Sequence, residues 1–281
     1  MEFRLERSPG DMMLTSTNMS GNRTRPPKEI RVMGYRLHPM TGQEVIAQVA
    51  GAVREKRRLI MANLNLHAMA TMYESKAMAS LFMQPDTYVM IDGMPVLFAA
   101  KIFGHSLSRA KRATSLDFYD HMFHPGKTEG WRFAFVGADP VTLKKGMDLL
   151  QARHPGLDME GRHGYFDIQD KSPGSPQREV IDWLKARSPD VLIVGMGMPR
   201  QEEWIAAIQH EVDVRVFMPT GAYLDYQVGT QRLAPRWIGQ LGLEWLYRLL
   251  SSPRRLGYRY LIEPIRLAGR LLLRRHPQKA G

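Results

Sequence analysis

Short, mostly apolar runs recur along the middle of this chain, most of them closed by glycine or a small polar residue. The clearest is Val191-Leu192-Ile193-Val194, followed at once by Gly195 and Gly197, then by Pro199 and a helical pattern opening at Gln201. An apolar run of this length, partly β-branched and ended by glycine, predicts a strand buried on both faces of a parallel sheet. Leu59 to Leu64, Tyr88 to Ile91, Trp131 to Val136 and Val212 to Met218 repeat the pattern, and Met159 to Tyr165 reads as a strand that returns the chain to the sheet. Between them, helical spacing covers Ala68 to Phe82, Val96 to Phe103, Val141 to Arg153 and Val180 to Ala186. A short strand at Val32 to Leu37 precedes Thr41, which has Glu44 three residues on. That pair predicts a capped helix running to about Arg57. Strand and helix in alternation predict an α/β fold: a Rossmann-like, mainly parallel sheet with flanking helices.

In such a sheet, ligands bind beyond the carboxyl ends of the strands. Five ends carry suitable residues: Asn63 (with Asn65 and His67 just past it), Asp92, Gly137, Gly195 and Gly221. Glycine lets a ligand approach the backbone N–H groups. A helix opening after Pro199 favours an anion at its N-terminus. Each signal has a plainer counterpart. Most βα turns bind nothing, an Asp after a strand also serves as a helix cap, and the basic run Ser108 to Arg112 is also what a solvated face looks like. Gly195-x-Gly197 has no third glycine, so a Rossmann-type oxidoreductase lacks its dinucleotide fingerprint.

Composition narrows the classes. The 281 residues are 44% hydrophobic and include no cysteine, which excludes disulfides, thiol catalysis and Cys-ligated metals. The net charge of +11 calls for an acidic partner: nucleic acid, an anionic membrane or a phosphorylated substrate. No apolar run approaches the roughly 18–20 residues of a membrane span, and the N-terminus lacks the apolar core of a signal peptide. Residues 1–28 read as a disordered tail, 29–230 as the α/β body and 231–281 as a basic appendage. From Arg232 onward, eleven basic residues face only Glu244 and Glu263, giving +9 of the total +11. Leucine and aromatic residues are interleaved with them, as in helices that lie on anionic membranes. An ordinary amphipathic closing helix, or a basic nucleic-acid-binding segment, is the competing reading. The second has no helix-turn-helix, zinc or RNA-recognition signature behind it.

Several motifs, in order, resemble those of the WecG/TagA/CpsF glycosyltransferases, over about Glu29 to Leu261. Gly197-Met198-Pro199-Arg200-Gln201-Glu202 is similar to the family's G-x-P-x-Q-E. Gly221 to Gly229, with Asp225 inside it, is similar to G-x-x-x-D-x-x-x-G. Leu241 to Leu249 and Pro253-Arg254-Arg255 follow. Asp92-Gly93 matches a D-G at a strand end, and Arg112-Ala113-Thr114 with Asp117 is similar to R-v-t-G-x-D. Departures are Met61 where the family usually has Thr, two residues before the Asn matched to Asn63, and Leu233-Ala234-Pro235 in place of R-A-P.

The resemblance implies transfer of a hexose-type sugar (N-acetylmannosamine, its uronate, or a related hexose or uronate) from a UDP-sugar. The acceptor is a polyprenyl-diphosphate-linked saccharide at the inner face of the cell membrane. The implied reaction inverts the anomeric centre and uses neither metal nor other cofactor. Its product feeds a bacterial surface polysaccharide: exopolysaccharide, capsule, common antigen or teichoic acid. Asp92 is then the general base, and Arg112 neutralises a diphosphate. Asn63 bonds the sugar or acceptor. Gln201 and the Gly195/Gly197 turn hold the nucleotide sugar, and Gly221, Tyr223 and Asp225 complete the nucleotide pocket. Arg248, Arg255 and Arg259 reach the lipid diphosphate. Self-association as a dimer or trimer is compatible with the family; a nucleic-acid partner is not implied.

Overall fold

The computed structural model describes residues 24–235, 238 and 243–273. Its centre is a sheet of six strands, all parallel: β3 (Leu59–Leu64), β4 (Thr87–Ile91), β5 (Phe133–Gly137), β6 (Met159–Arg162), β7 (Val191–Gly195) and β8 (Val216–Pro219), in the order β4-β3-β8-β7-β5-β6. The chain runs outward from β3 to β4 on one side and from β5 to β6 on the other. Strands β7 and β8 then fill the gap. This reversal of direction opens a crevice over the carboxyl edge of the middle strands.

The apolar runs predict these strands because both faces are covered. Leu59 and Met61 point into one core with α1 (Gly42–Arg54), α5 (Ser115–Thr128) and α6 (Pro140–Arg153). Leu192, Val194 and Phe217 point into another with α7 (Pro176–Arg187) and α8 (Arg200–Ile208), where Trp204 is fully buried. The Thr41 capping box forms as expected: its side chain accepts from the Glu44 N–H, and the Glu44 carboxylate accepts from the Thr41 N–H at 2.6 Å.

Two expectations are corrected. Val32 to Leu37 is not one strand but part of a hairpin, β1 (Ile30–Val32) with β2 (Tyr35–Leu37), turning at Met33 and Gly34, both at positive φ. Ala68 to Phe82 is two helices, α2 (Leu66–Thr71) and α3 (Lys76–Met83). Ser75 ends the continuity by capping α3, accepting from the Met78 N–H, while its own hydroxyl donates to Glu203. Helix α5 has no counterpart in the pattern reading. Pro125 and Gly126 interrupt its sequence, yet Gly126 is needed because a Cβ there would lie 2.5 Å from the Phe133 ring. Residues 1–23 of the expected tail lie outside the described residues, but 24–28 are partly anchored: Gln48 donates to the Arg25 carbonyl at 2.7 Å.

After α4 (Met94–Ile102) and α9 (Tyr223–Gln227), the basic segment folds as α10 (Glu244–Ser251), α11 (Pro253–Gly257), a π-helical stretch at Tyr258–Ile262, and α12 (Glu263–Leu272). It packs back on the body, with α12 against α2 and Leu267 buried in the core beneath.

Gly137 pairs with Gly195 across β5 and β7, and a Cβ on Gly137 would lie 2.4 Å from the Gly195 carbonyl oxygen. Backbone cannot yield that distance cheaply. Gly137→Ala is expected to cost about 1–3 kcal/mol of stability through overpacking, read as a lower urea midpoint at unchanged m-value.

Candidate functional site

The parallel register of β3 with β4 aligns Leu64 with Ile91. The residue after each strand is therefore Asn65 beside Asp92. The Asn65 amide nitrogen donates to Asp92 Oδ2 at 2.9 Å, while its oxygen caps α2 by accepting from the Ala68 N–H. One amide thus fixes both a helix start and a carboxylate. On the other side of β4, a parallel bridge sets Arg112 beside Ile91. Asn65, Asp92 and Arg112 form a short row on the lip of the crevice.

The crevice is a cavity of ≈ 1230 Å³. Asn63, Asn65, Asp92 and Arg112 line one end, and Gly195, Gly197, Gln201, Gly221 and Asp225 line the turns after β7 and β8. Arg248 and Arg259 from the basic segment form part of its wall. Two expected residues stand outside. Gly137 lies under the floor in the strand pair described above. Tyr223 is almost fully buried against Tyr119, ring centroids 4.9 Å apart. The Arg255 side chain falls outside what is described. Asn63 donates to the Pro219 carbonyl at 2.7 Å, bracing β3 to β8, so it is Asn65 that touches Asp92. Met61 lies one pleat deeper on the same face as Asn63 and is fully buried, away from the cavity.

Electrostatics are concentrated here. Burial pushes the Asp92 carboxyl above its usual range, opposed by the Asn65 hydrogen bond and the charges of Arg112, Arg248 and Arg259. Burial also works against the charge on Arg112, but a two-point pair with Glu244 of α10, at 2.9 and 3.2 Å, outweighs it and raises its pKa. Arg259 is lowered by burial, and Arg248 beside it adds to the effect. Glu263 at the start of α12 meets His67 of α2 at 2.8 Å. Burial, then Arg259, pull the His67 pKa down against Glu263 and a hydrogen bond to the Met198 carbonyl.

The two acids in the basic segment, Glu244 and Glu263, are thus both docking points on the cavity wall. Sequence reasoning missed their partners, although two acids among eleven bases were the available signal. On one continuous helix Arg266 and Arg270 would share a face with Arg248. Instead, Arg266 bonds the Tyr258 hydroxyl, and Arg270 lies 4.9 Å over the Tyr73 ring and reaches Glu74. The bend at Ser252 and the π-helical stretch break the phase.

The turns after β7 and β8 are tied by one side chain. Gln201 Oε1 accepts from the N–H groups of Gly197 (3.2 Å) and Gly221 (3.0 Å). Both glycines have positive φ, 79° and 64°, a region that favours glycine. The Met198–Pro199 peptide between them is cis. Arg200, absent from the expected site, lines the cavity and donates to the Gly164 and Phe166 carbonyls. Asp117 lines it too, but its carboxylate caps α5 by accepting from the Thr114 N–H and hydroxyl. Among the described residues, no three His, Asp or Glu side chains gather in a metal-binding cluster, and no helix is long and apolar enough to cross a membrane.

A sequence model described as the glycosyl transferase WecG/TagA/CpsF family matches residues 30–281. Proteins of Staphylococcus aureus strains MW2, NCTC 8325 / PS 47 and MRSA252 are also similar. Each is named N-acetylglucosaminyldiphosphoundecaprenol N-acetyl-beta-D-mannosaminyltransferase. The first two are 29% identical and the third 28%, over 171 residues. That stretch covers 61% of this chain and 64% of each relative, so the match spans less than two thirds of the relatives' own length.

One buried acid beside the cavity gives a pH test. Glu202 is fully buried, and desolvation raises its pKa from 4.5 to about 8. Below the lower value the carboxyl is protonated in both folded and unfolded chains. Between the two values the unfolded chain releases the proton and the folded chain keeps it, so stability falls as pH rises through that window. Glu202→Gln is expected to flatten this slope and to be the more stable form near the upper end, by on the order of a few kcal/mol. Urea midpoints of both proteins across the window read it directly.

Proposed function

The chain belongs to the WecG/TagA/CpsF glycosyltransferase family, and on that premise we propose that it transfers a hexose-type sugar from a UDP-sugar to a saccharide carried on a polyprenyl diphosphate. The carrying observation is the row Asn65–Asp92–Arg112 at one end of a cavity whose other end is walled by the glycine turns at Gly197 and Gly221. A base at one end and a backbone-lined nucleotide pocket at the other match a transfer between two bound substrates.

In this reading the acceptor hydroxyl lies against Asp92. The carboxylate takes its proton as the oxygen bonds to the anomeric carbon from the face opposite the leaving group. The bond to UDP breaks, its electron pair stays on the diphosphate, and the anomeric configuration inverts. A positioned base contributes about 10²–10⁴-fold. The raised pKa of Asp92 makes it a stronger base, while the Asn65 amide favours the ionised form it needs. Arg112, Arg248 and Arg259 supply positive charge for a substrate diphosphate. These cations make a metal unnecessary for that task. The resident Glu244 on Arg112 is the anion that a diphosphate would have to displace or stand beside.

The relatives' name puts their acceptor on a lipid, and the basic segment suits that. Leu250, Leu261, Ile265, Leu272 and Leu273 are exposed apolar residues among its arginines. Such a helix lies in a membrane interface, with each Lys or Arg near an anionic surface contributing about 1 kcal/mol. We place the protein on the inner membrane face, with the cavity toward the lipid diphosphate.

Transfer from a panel of UDP-sugars to a short-chain polyprenyl-diphosphate N-acetylglucosamine, with EDTA present, tests this. Product with the native chain and a loss of about 10²–10⁴-fold with Asp92→Asn, UDP binding being retained, is the expected outcome. The native rate should rise with pH through a value above the ordinary carboxylate range, because Asp92 must be ionised to act. Full activity in Asp92→Asn would remove it as the base, and product lost to EDTA would remove metal independence.

A further inference from the structure

The amide of Gln201 holds two glycine turns with one oxygen, and that arrangement raises a question of orientation. An amide's two ends are nearly the same size, and a flipped Gln201 would aim its NH₂ at two N–H donors. Only the oxygen can accept from both Gly197 and Gly221. What selects this orientation is the neighbouring carboxyl: Gln201 Nε2 donates to Glu202 Oε1 at 2.8 Å. Gln201 is 2% exposed and Glu202 fully buried, so water does not compete. Glu202 Oε2 has no partner among the described residues.

A carboxyl buried at this cost, with one oxygen unpartnered, is not explained by stability. Burial of an unpaired carboxyl destabilises a fold, and an apolar residue of similar size is usually tolerated better. Among the described residues its carboxyl accepts from the Gln201 side chain, the amide that joins the β7–α8 turn to the β8–α9 turn. The two turns come from separate strands, and Val194 pairs with Pro219 just before them. Past that pair the Thr220 N–H still donates to the Val194 carbonyl at 2.8 Å, and the Gln201 oxygen adds a hydrogen-bonded link between the two turns.

We propose that Glu202 is a positioning residue: it locks the Gln201 amide so that its oxygen holds the Gly197 and Gly221 turns at one fixed separation, which sets the width of the nucleotide end of the cavity. Gln201 on this view acts on the donor through the turns. Glu202 acts through Gln201 and touches no substrate. The proposal deepens the glycosyl-transfer reading in its donor half, but the lock itself is a property of the fold and is tested without substrate.

The test compares the native full-length chain with Glu202→Gln and Glu202→Met. A Gln side chain retains a carbonyl oxygen that accepts from Gln201; a Met side chain has similar volume and no such acceptor. Amide hydrogen exchange at Gly197 and Gly221 is the first readout. Exchange at both positions is expected to quicken by about tenfold or more in Glu202→Met, with Glu202→Gln at the native rate and urea midpoints in both variants no lower than the native one excluding global loosening. Native exchange at both glycines in Glu202→Met would overturn the lock. Faster exchange in both variants would also overturn it, since the conservative change must rescue. The second readout is UDP affinity by calorimetry and the KM and kcat for the sugar donor. The lock predicts a KM raised about tenfold in Glu202→Met with kcat nearly unchanged. If the glycines loosen but the native chain binds no uridine nucleotide, the lock stands and the donor assignment falls.

Discussion

The constraint on which the site depends is the register of two parallel strands. Parallel pairing of Leu64 with Ile91 leaves Asn65 and Asp92 as the first residues free of the sheet, side by side. Their separation is set by the strand spacing of about 4.8 Å, which an amide and a carboxylate close to one hydrogen bond. The next position outward is filled by Arg112, bridged to Ile91 from a loop. A shift by one residue in either strand would turn Asn65 or Asp92 to the opposite face. The fully buried run Leu59–Ala62 resists that shift, because both of its faces are already committed to packed cores. Core packing far from the cavity therefore holds the proposed base in place.

The second organising feature is how a strongly cationic segment is held against a cavity that is itself cationic. Its two acids do this. Glu244 pairs with Arg112 and Glu263 with His67, while Arg270 and Leu267 grip α2 and the core beneath. The other described arginines divide between the cavity and the outside. Arg248 and Arg259 face inward: the charges of both oppose the upward push on the Asp92 carboxyl, and Arg248 adds to the lowering of Arg259. Like charges gathered in one cavity repel, and an anion placed among them is stabilised by the same field. A diphosphate is such an anion, which links the segment's charge to the proposed chemistry and not only to a membrane surface.

The site also separates residues by depth. Gln201 and Glu202 are adjacent and both buried, but one ties two backbone turns and the other orients that tie. Gly137 and Gly195 are paired at a point where backbones crowd, and they serve the sheet before any ligand. Tyr223 lies within the sequence that resembles a nucleotide-binding turn, yet it anchors that turn from below by packing on Tyr119. A motif residue is therefore not always a contact residue.

The sequence by itself determined most of the element types, the parallel class of the sheet and a part of the cavity's lining. Apolar runs such as Val191–Val194 can be satisfied only by burial on both faces, and glycine or Asp after such a run marks the edge where a ligand is reachable. The Thr41 capping box and the basic segment were equally local signals. The tertiary structure decided the rest. It set the strand order, which follows from packing between distant segments. It made Asn65 the partner of Asp92, with Asn63 bracing Pro219, because that choice is one of register. It divided α2 from α3 at Ser75, whose hydroxyl meets Glu203 from another part of the chain. It also brought Glu244 to Arg112, 132 residues away in sequence. Periodicity reports what a segment must bury, which is a property of nearby residues. Which groups then meet depends on how the buried faces fit together, and that free energy belongs to the whole chain.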